Sequence, residues 1–404
     1  MSKILIIGAG ASGLIASIYA KDENNEVILL ERNPEPAKKI LVTGNGRCNY
    51  YNEDQDLKHY NSENQELISE IITEENKKEI LEFFNKIGII PKIKNGYYYP
   101  YSNQATSIKN ALINEAKRKN VNIVTNTYVE SIIHLCEQYK VLTNNTEYIV
   151  DKVVIATGSF SAPKTGSDGN GYTLVEKLGH SLITPLPALT ALKGNARYFK
   201  EWSGIRSDVK IKLYNDKEFI KEEQGEIQLT DYGISGICTF NLSRHANKIL
   251  SKNGKPYVYI NFLPLLENNE LNFLEERNKL MNDRTVDELL DGILNYKLTN
   301  VILKLLNIKK DTKYNELTQN QKESLIEKIT KFEIEIVDSN PFDASQVCMG
   351  GVPLTEINRQ TMESKLNTNI YIIGELLDVD GECGGYNLTF AWISGMLAGK
   401  SCKQ

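Results

Sequence analysis

The feature that most constrains the fold is a strand, a glycine turn, a helix and a second strand within the first 31 residues. Residues 3–7 and 27–30 have the apolar pattern of buried parallel strands, and residues 14–20 have that of a helix. Between the first strand and the helix stands Gly8-Ala9-Gly10-Ala11-Ser12-Gly13, a GxGxxG motif. The second strand ends in Glu31, roughly 20 residues beyond the glycines, where an acid binds ribose hydroxyls. This βαβ pattern predicts a dinucleotide site whose pyrophosphate lies at the helix N-terminus.

Glu31 also bears on the choice of nucleotide, because a carboxylate repels a 2′-phosphate and so favours FAD or NAD over NADP. The alternative interpretation of this segment is a signal peptide, since Lys3 precedes an apolar stretch of small residues. The three glycines would interrupt such a peptide, and Glu31 would have no role in it. No other stretch approaches the ~18 apolar residues of a membrane helix, so we expect a soluble, cytoplasmic protein without a membrane partner.

Composition adds few constraints. A chain of 404 residues is long enough for two or three domains. The net charge is −5, from 47 basic and 52 acidic residues that are mixed along the chain, so we expect no nucleic-acid partner. The six cysteines are scattered with no C-x-x-C pair, which argues against a zinc site, a catalytic dithiol or a disulfide framework. We therefore predict reduced thiols and no metal.

A second glycine loop lies at residues 38–49, where small and polar residues rule out an ordinary strand or helix. Gly44 and Gly46 let backbone N–H groups converge on an anion or a ring edge, and Arg47 adds a permanent positive charge. We interpret the segment as a second cofactor loop. Further on, residues 97–100 have the pattern of an aromatic turn; its tyrosines could line a pocket or, equally well, pack as strand residues on a core.

A strand at residues 152–158 ends in Ala156-Thr157-Gly158, whose small side chains let the backbone pass close to a flat ligand. Alone, this would be a simple strand-to-loop turn. Together with the βαβ unit, it is the secondary signal of an FAD-binding Rossmann domain.

The domain pattern changes after about residue 185. Short alternating strands predict an antiparallel sheet or small barrel, and residues 269–330 have helical periodicity. Strand character and glycines return at residues 371–375. We predict an α/β protein with a discontinuous Rossmann-type FAD-binding domain at 1–190 plus 340–404, a β-rich, barrel-like insertion at 191–265 and a small helical insertion at 266–339, with the insertions facing the substrate.

Near the C-terminus, a strand ends at Gly374, and Glu375 follows it in a position to accept hydrogen bonds from the ribityl hydroxyls of a flavin. Gly384 and Gly385 would bring the backbone near the isoalloxazine ring. A helix at residues 388–398 would direct its positive end at the N1/C2=O edge and stabilise negative charge on the reduced flavin. A calcium loop is the alternative for the acidic residues here, but the spacing of an EF-hand is absent.

Motifs along nearly the whole chain carry a family resemblance. They are GAGASGL at 8–14, KKILVTGNGRCN at 38–49, ATGSFSAPKTGSDGNGY at 156–172, LGH at 178–180, LTDYGISG at 229–236, GGVPL at 350–354, TMESK at 361–365 and GELLDVDGECGGYNLTFAW at 374–392. The chain resembles the BaiN-like (YhiN-like) NAD(P)/FAD-dependent oxidoreductases, a bacterial flavoprotein family that includes aminoacetone oxidase and a protein linked to bile-acid dehydroxylation. The resemblance implies an FAD domain built from both chain ends with β-rich and helical insertions.

The resemblance also implies which residues hold FAD non-covalently. Together with the four glycine-motif and strand-end positions Ala11, Gly46, Gly374 and Gly384, the expected cofactor residues are Gly8, Gly10, Ser12, Gly13, Glu31, Arg32, Lys39, Thr43, Gly44, Arg47, Cys48, Asn49, Val129, Ala156, Thr157, Gly158, Glu375, Asp378, Gly385, Tyr386, Asn387 and Leu388. The chain departs from the family pattern at Ser159 and Ile237, where the family has glycine and proline. Both departures bear on the substrate cavity rather than on the FAD fingerprint.

Catalytic residues are not identified by the sequence. None of the four histidines stands in a nucleophile or metal motif, and a flavin can transfer hydride with little acid–base help. Cys48 could meet the flavin as a thiol, but we prefer the interpretation of a small packing residue, because no resolving cysteine is near it in sequence.

Three functions remain open. The first is an FAD-dependent oxidoreductase that acts on a small organic substrate by hydride transfer at flavin N5. With no second GxGxxG motif, NAD(P)H as donor would bind only transiently, at the inserted domain, or would be replaced by another reductant. The second is an amine or aminoketone oxidase that passes electrons to O₂ and releases H₂O₂. The third is an RNA-associated or regulatory flavoprotein in which FAD is largely structural. It would need a basic surface with aromatic residues, and the mixed charges of the chain argue against it. Substrate identity, reaction direction and oligomeric state are not determined by the sequence.

Overall fold

The computed structural model describes residues 1–266 and 269–403, and the chain divides into two compact units. Unit 1 comprises Met1–Leu186 and Phe342–Gln404, so both chain ends contribute to it. Unit 2 comprises Pro187–Pro341.

The strands, in chain order, are β1 Ser2–Ile7, β2 Asn25–Leu30, β3 Tyr51–Asn52, β4 Tyr60–Asn61, β5 Pro91–Lys94, β6 Tyr97–Pro100, β7 Asn122–Val124, β8 Val129–Leu135, β9 Gln138–Thr143, β10 Glu147–Val150, β11 Lys152–Ile155, β12 Ile183–Ala188, β13 Leu192–Gly194, β14 Arg206–Asn215, β15 Glu218–Leu229, β16 Gly233–Ser235, β17 Pro256–Asn261, β18 Phe332–Ser339, β19 Val347–Gly351, β20 Ile370–Ile372 and β21 Asp380–Gly381. The α-helices are α1 Ala11–Ala20, α2 Glu74–Lys86, α3 Ala105–Arg118, α4 Asn170–Lys177, α5 Phe199–Trp202, α6 Ile237–Ser251, α7 Glu270–Leu280, α8 Val286–Leu290, α9 Tyr296–Leu305, α10 Gln319–Thr330 and α11 Tyr386–Cys402.

The main sheet of unit 1 has the strand order β20-β11-β1-β2-β7, and all its neighbours are parallel. Its central strands are apolar along their length because parallel strands are covered on both faces, and Ile4, Leu5 and Ile6 are completely buried. Helix α1 returns the chain from β1 to β2 and packs against α3 and α11. The strand order reverses between β1 and β11, and the carboxyl ends there border the crevice where α/β sheets bind ligands.

Unit 1 also contains a β8-β9-β10 meander and a β3-β6-β5 sheet. The expected aromatic turn at residues 97–100 is strand β6, which pairs with β5 in an antiparallel hairpin. The turn itself is formed by Asn95 and Gly96, which both have positive φ angles. The tyrosines are therefore strand residues, the second of the two interpretations.

Unit 2 is built on a closed barrel with the order β13-β16-β15-β14-β17-β18. Alternate residues of β14 and β17, such as Val209, Ile211 and Val258, point into a shared apolar core. This is the period-2 pattern of half-buried strands. Helices α7 to α10 lie in the connection from β17 to β18.

The predicted helical range 266–339 includes β18, which pairs with β13 and β17 and closes the barrel. Its sequence FEIEIVDS alternates as a strand, so the helical part ends at Thr330. Residues 267 and 268, near the predicted boundary at 265/266, lie outside the described residues. The separation of the insertion into two domains stays a prediction.

The predicted fold class is confirmed: a Rossmann-type parallel sheet, a barrel and a set of helices are present. Within residues 1–266 and 269–403, no helix combines the length and the hydropathy needed to cross a membrane.

Candidate cofactor-binding site

A deep cavity opens at the carboxyl ends of β1, β2 and β11 in unit 1, with an empty volume of about 1250 Å³ counted to its open mouth. Both chain ends line it. The predicted residues on its wall are Gly8, Gly10, Ala11, Ser12, Glu31, Arg32, Lys39, Thr43, Val129, Ala156, Thr157, Gly158, Glu375, Asn387 and Leu388.

The other predicted residues lie behind the wall or beside it. They are Gly13, Gly44, Gly46, Arg47, Cys48, Asn49, Gly374, Asp378, Gly384, Gly385 and Tyr386. Gly13 and Gly374 support the first turn, since a Cβ on Gly374 would come 2.6 Å from Ser12 Oγ. The rest belong to the 38–49 loop or to the turn before α11.

The GxGxxG turn is shaped by close backbone packing. Gly8 has φ +103°, and a Cβ on it would lie 2.4 Å from the carbonyl oxygen of Ala156. A Cβ on Gly13 would lie 1.9 Å from the carbonyl oxygen of Gly8. At Gly10, by contrast, a Cβ would meet no protein atom within 4 Å, because this glycine faces the cavity.

Helix α1 begins directly at this wall, and no side chain caps its N-terminus at Gly10. The first turn of a helix leaves backbone N–H groups without intrahelical partners, and the macrodipole adds partial positive charge. Ala11 and Ser12 carry these groups on the cavity wall. This is the geometry that binds a phosphate or pyrophosphate.

Glu31 lies at the end of β2 with only 7% of its surface exposed. Its Oε2 accepts a hydrogen bond from the Ala9 N–H at 3.1 Å, and Oε1 accepts from the backbone and the side chain of Asn33, both at 2.8 Å. Burial raises the pKa of this carboxyl, and the same hydrogen bonds partly oppose the shift. A carboxylate has about four acceptor positions, so roughly one remains for a ribose hydroxyl.

Glu375 and Lys39 form an ion pair on the cavity wall, with Lys39 Nζ 2.6 Å from Glu375 Oε2. Glu375 Oε1 accepts from Ser161 Oγ at 2.9 Å and from the Cys348 N–H at 3.2 Å. These partners occupy most of the acceptor capacity that the sequence assigned to ribityl hydroxyls. Glu375 would therefore offer a ligand one remaining position, while Lys39 supplies positive charge beside it.

The turn before α11 places its polar side chains against the protein. Asp378 Oδ2 accepts from Ser62 Oγ at 2.9 Å and from the Glu63 N–H at 2.7 Å. The Asn387 side chain bonds both backbone groups of Gly381, at 2.9 and 2.8 Å. Helix α11 begins at Tyr386, two residues before the expected start, and Gly385 precedes it with φ +97° and no capping side chain.

The 38–49 loop is a kinked 3₁₀ segment, Ile40–Gly46, with left-handed backbone at Gly44, Asn45, Gly46 and Cys48. Arg47 is exposed, and its guanidinium lies 4.9 Å from the centre of the Tyr99 ring. Cys48 is fully buried, and burial raises the pKa of its thiol to about 12. Cys48 is thus a protonated packing residue at neutral pH.

Part of the cavity wall was not predicted from the sequence. Tyr128, Gln346 and Val347 line the cavity without any local motif that marks them, whereas Phe390 lies within the motif at 374–392. Residues 165–168 also line it, and here a signal existed, since glycine, serine and aspartate are dense from Gly158 to Gly171.

The described wall fits FAD. It combines an uncapped helix start for a pyrophosphate, an open glycine at Gly10, a buried acid with one remaining acceptor position, and apolar walls from both chain ends. The assignment of individual residues to the cofactor stays a prediction.

Comparisons with known proteins agree with this picture. A family model described as "HI0933-like protein Rossmann domain" matches residues 2–401. The chain is 38% identical to the "3-dehydro-bile acid delta(4,6)-reductase" of Clostridium scindens, over 100% of both chains. It is 26% identical to the "Ribosomal RNA dihydrouridine synthase" of Escherichia coli, over 96% of this chain and 95% of that one. A flavocytochrome c3 fumarate reductase structure matches with a TM-score of 0.50 and 16% identity, covering 100% of this chain and 78% of that one, and shares the fold.

Proposed function

The chain belongs to the HI0933-like Rossmann family of FAD-dependent oxidoreductases, and we propose that it reduces a carbon–carbon double bond in a small organic substrate by hydride transfer at flavin N5. The observation that carries the proposal is the 38% identity, along both full lengths, with a protein named as a reductase of delta(4,6) double bonds. The name of the E. coli relative also describes addition of hydrogen to a double bond.

FAD, when bound, supplies the hydride acceptor and donor. The residues of this chain bind and orient it. The α1 N-terminus attracts the pyrophosphate, Glu31 accepts from a ribose hydroxyl, and the Lys39–Glu375 pair places a positive charge on the cavity wall.

The electron donor is proposed to be NADH or NADPH, bound transiently. The sequence contains no second GxGxxG unit, so a permanent second dinucleotide site is not expected.

An anaerobic absorbance titration of the FAD-loaded protein tests the proposal. We expect NADH or NADPH to bleach the flavin band, and a 3-oxo-4-ene steroid acid to restore it in the absence of air with formation of the saturated product. Bleaching without reoxidation by any enone would contradict the proposed reaction. Reduction by aminoacetone, followed by peroxide formation in air, would support an amine or aminoketone oxidase instead.

A second candidate is reduction of uracil in RNA, and one surface favours it. The hairpin face, defined here as Arg47, Lys92, Lys94, Tyr97 and Tyr99, brings cations and aromatic rings together. Lys92 lies opposite Tyr99 and Lys94 opposite Tyr97, so their side chains share a face of the hairpin. Among the described residues, no carboxylate forms an ion pair with these three cations.

Basic residues with stacked aromatic rings are typical of single-stranded RNA sites. The net charge of −5 places this candidate second, because RNA-binding proteins generally carry a basic footprint. Incubation of reduced enzyme with ribosomal RNA, followed by mass spectrometry for dihydrouridine, tests it. A product that disappears in K92E/K94E would favour RNA, and no product with the wild-type protein would exclude it.

A further inference from the structure

The connection from β11 to α4 forms one wall of the cofactor cavity. We name residues 162–169 the strap; of these, Thr165, Gly166, Ser167 and Asp168 line the cavity. Glu31, Arg32 and Tyr128 also line the cavity, and Arg32 contacts the strap through Asp168. None of the strap residues was among those assigned to the cofactor from sequence.

The strap is tied to the end of β2 at two points. Asp168 forms an ion pair with Arg32, with both side chains a little over one-third exposed. Three residues before Asp168, the carbonyl oxygen of Thr165 accepts a hydrogen bond from Asn33 Nδ2 at 3.0 Å. Asn33 also bonds Glu31, so the strap is connected to the proposed ribose acid through one side chain.

The backbone of the strap is shaped for this contact. Gly166 has φ +112°, and a Cβ on it would lie 2.3 Å from Asn33 Nδ2. Gly169 has φ +81°, and a Cβ there would collide with the ring of Phe160. Gly166 therefore lets the strap approach the β2 end, where a larger residue would collide with Asn33, and Gly169 lets it pass close to Phe160.

Arg32 is held from a second side. Its guanidinium carbon lies 5.1 Å from the centre of the Tyr128 ring, so the cation rests between the aromatic face and the Asp168 carboxylate. Arg32, Tyr128 and Asp168 all line the cavity. The Arg32 cation is thus held by two partners on the cavity wall.

We propose that Tyr128 and Asp168 are positioning residues that clamp Arg32 across the Glu31 end of the cavity, and that this clamp limits how fast FAD enters and leaves. The inference rests on the proposed FAD cofactor. The clamp contains an exposed ion pair, and such pairs stabilise a folded protein by ~0.2–1 kcal/mol in water. Loss of the ion pair should accordingly change the rates of FAD exchange by about 1.4- to fivefold, and the effect should depend on salt.

The test is stopped-flow measurement of FAD association and release, by flavin fluorescence, for the wild type, D168N and Y128L. We expect both variants to release and to bind FAD about 1.4- to fivefold faster than the wild type. A residue that only contacted the bound cofactor would change release alone. Raising the salt concentration should accelerate release from the wild type and have little effect on D168N.

D338N is the matched control, because Asp338 forms an exposed ion pair with Lys193 at 3.1 Å in unit 2. It should exchange FAD like the wild type. Equal FAD exchange rates in D168N and the wild type would overturn the proposed clamp. Salt-independent FAD release from the wild type would also overturn it, and this measurement does not depend on the folding of any variant. Failure of the wild type to bind FAD would overturn both the clamp and the proposed cofactor. FAD binding without enone reduction would contradict the proposed reaction alone.

Discussion

The three glycines of the first motif lack a side chain for different reasons. Gly8 needs a left-handed backbone, and Gly13 lies against the Gly8 carbonyl, so both are required by the fold. Gly10 has neither constraint and faces the cavity. One motif therefore contains two structural glycines and one ligand-facing glycine.

This difference predicts opposite outcomes for two alanine substitutions. Gly13→Ala should destabilise the apoprotein by about 1–3 kcal/mol, as expected for overpacking. Gly10→Ala should leave the unfolding free energy within about 1 kcal/mol of the wild type, the cost of replacing an N-cap glycine, but weaken FAD binding at least tenfold. Chemical denaturation of the apoprotein and an FAD titration measure the two effects. Equal FAD affinity in Gly10→Ala and the wild type would show that Gly10 does not face the cofactor.

The buried thiols predict a loss of stability at alkaline pH. Burial raises the folded-state pKa of Cys48 and of Cys348 to about 12. In the unfolded chain these thiols ionise near pH 8.5. Their stabilising contribution is therefore complete below that pH and is lost as the pH rises towards 12.

We expect the unfolding free energy to fall between pH 9 and pH 12, and to fall less steeply in Cys48→Ala. Buried tyrosines such as Tyr50 contribute with the same sign, so the slope should be reduced rather than abolished. Cys136→Ala is the control, because this cysteine is exposed. Parallel slopes in Cys48→Ala and the wild type would contradict the assignment.

At the scale of elements, the cofactor unit depends on the contact between its first and last helices. Gly395 and Gly399 lie one turn apart on α11, and a Cβ on either would collide with α1: Gly395 at 2.4 Å from the Ser12 carbonyl oxygen and Gly399 at 2.6 Å from that of Ala16. Helix α1 also provides the anion-binding N-terminus. The close approach of α11 therefore supports the position of that terminus.

Gly395→Ala should push the two helices apart and cost about 1–3 kcal/mol of stability. It should also weaken FAD binding, because the N-terminus of α1 would move. Lys400→Ala on the same helix removes a 43% exposed side chain and should cost less than about 1 kcal/mol. Denaturation curves and FAD affinity for both variants provide the comparison. A Gly395→Ala protein as stable as Lys400→Ala would contradict the close contact.

Secondary-structure elements could be predicted where one hydrophobic periodicity dominates a segment. They were ambiguous where the same pattern fits two kinds of structure. The β1-α1-β2 unit follows from apolar runs interrupted by glycines. The pattern at 97–100 left two interpretations open for the tyrosines of β6, pocket-lining residues of a turn or strand residues packed on a core. The partner strand β5 is exposed and carries no strand signal of its own. Cross-strand pairing, which is not local in sequence, decided this case.

At the scale of the whole molecule, every residue that lines the cavity belongs to unit 1. FAD should therefore stabilise that unit, by about 2.7 kcal/mol when free FAD is a hundredfold above its dissociation constant. We expect hydrogen exchange to slow in β1, β2 and β11 on addition of FAD and to be unchanged in the barrel strands β14 and β17. Equal protection of the barrel strands would contradict a cofactor site confined to unit 1.

The sequence by itself determined the Rossmann-type unit, its construction from both chain ends and the class of cofactor. It could do so because glycine turns, strand ends and the acid at Glu31 are local patterns with few alternatives. Only the tertiary structure decided which polar groups still face a ligand. Asp378 and Asn387 bond the protein itself, Glu375 is shared with Lys39, and Asp168 reaches Arg32 across 136 positions of sequence. These pairings join segments that are far apart in the sequence and meet only in the folded chain, so no local sequence pattern predicts them.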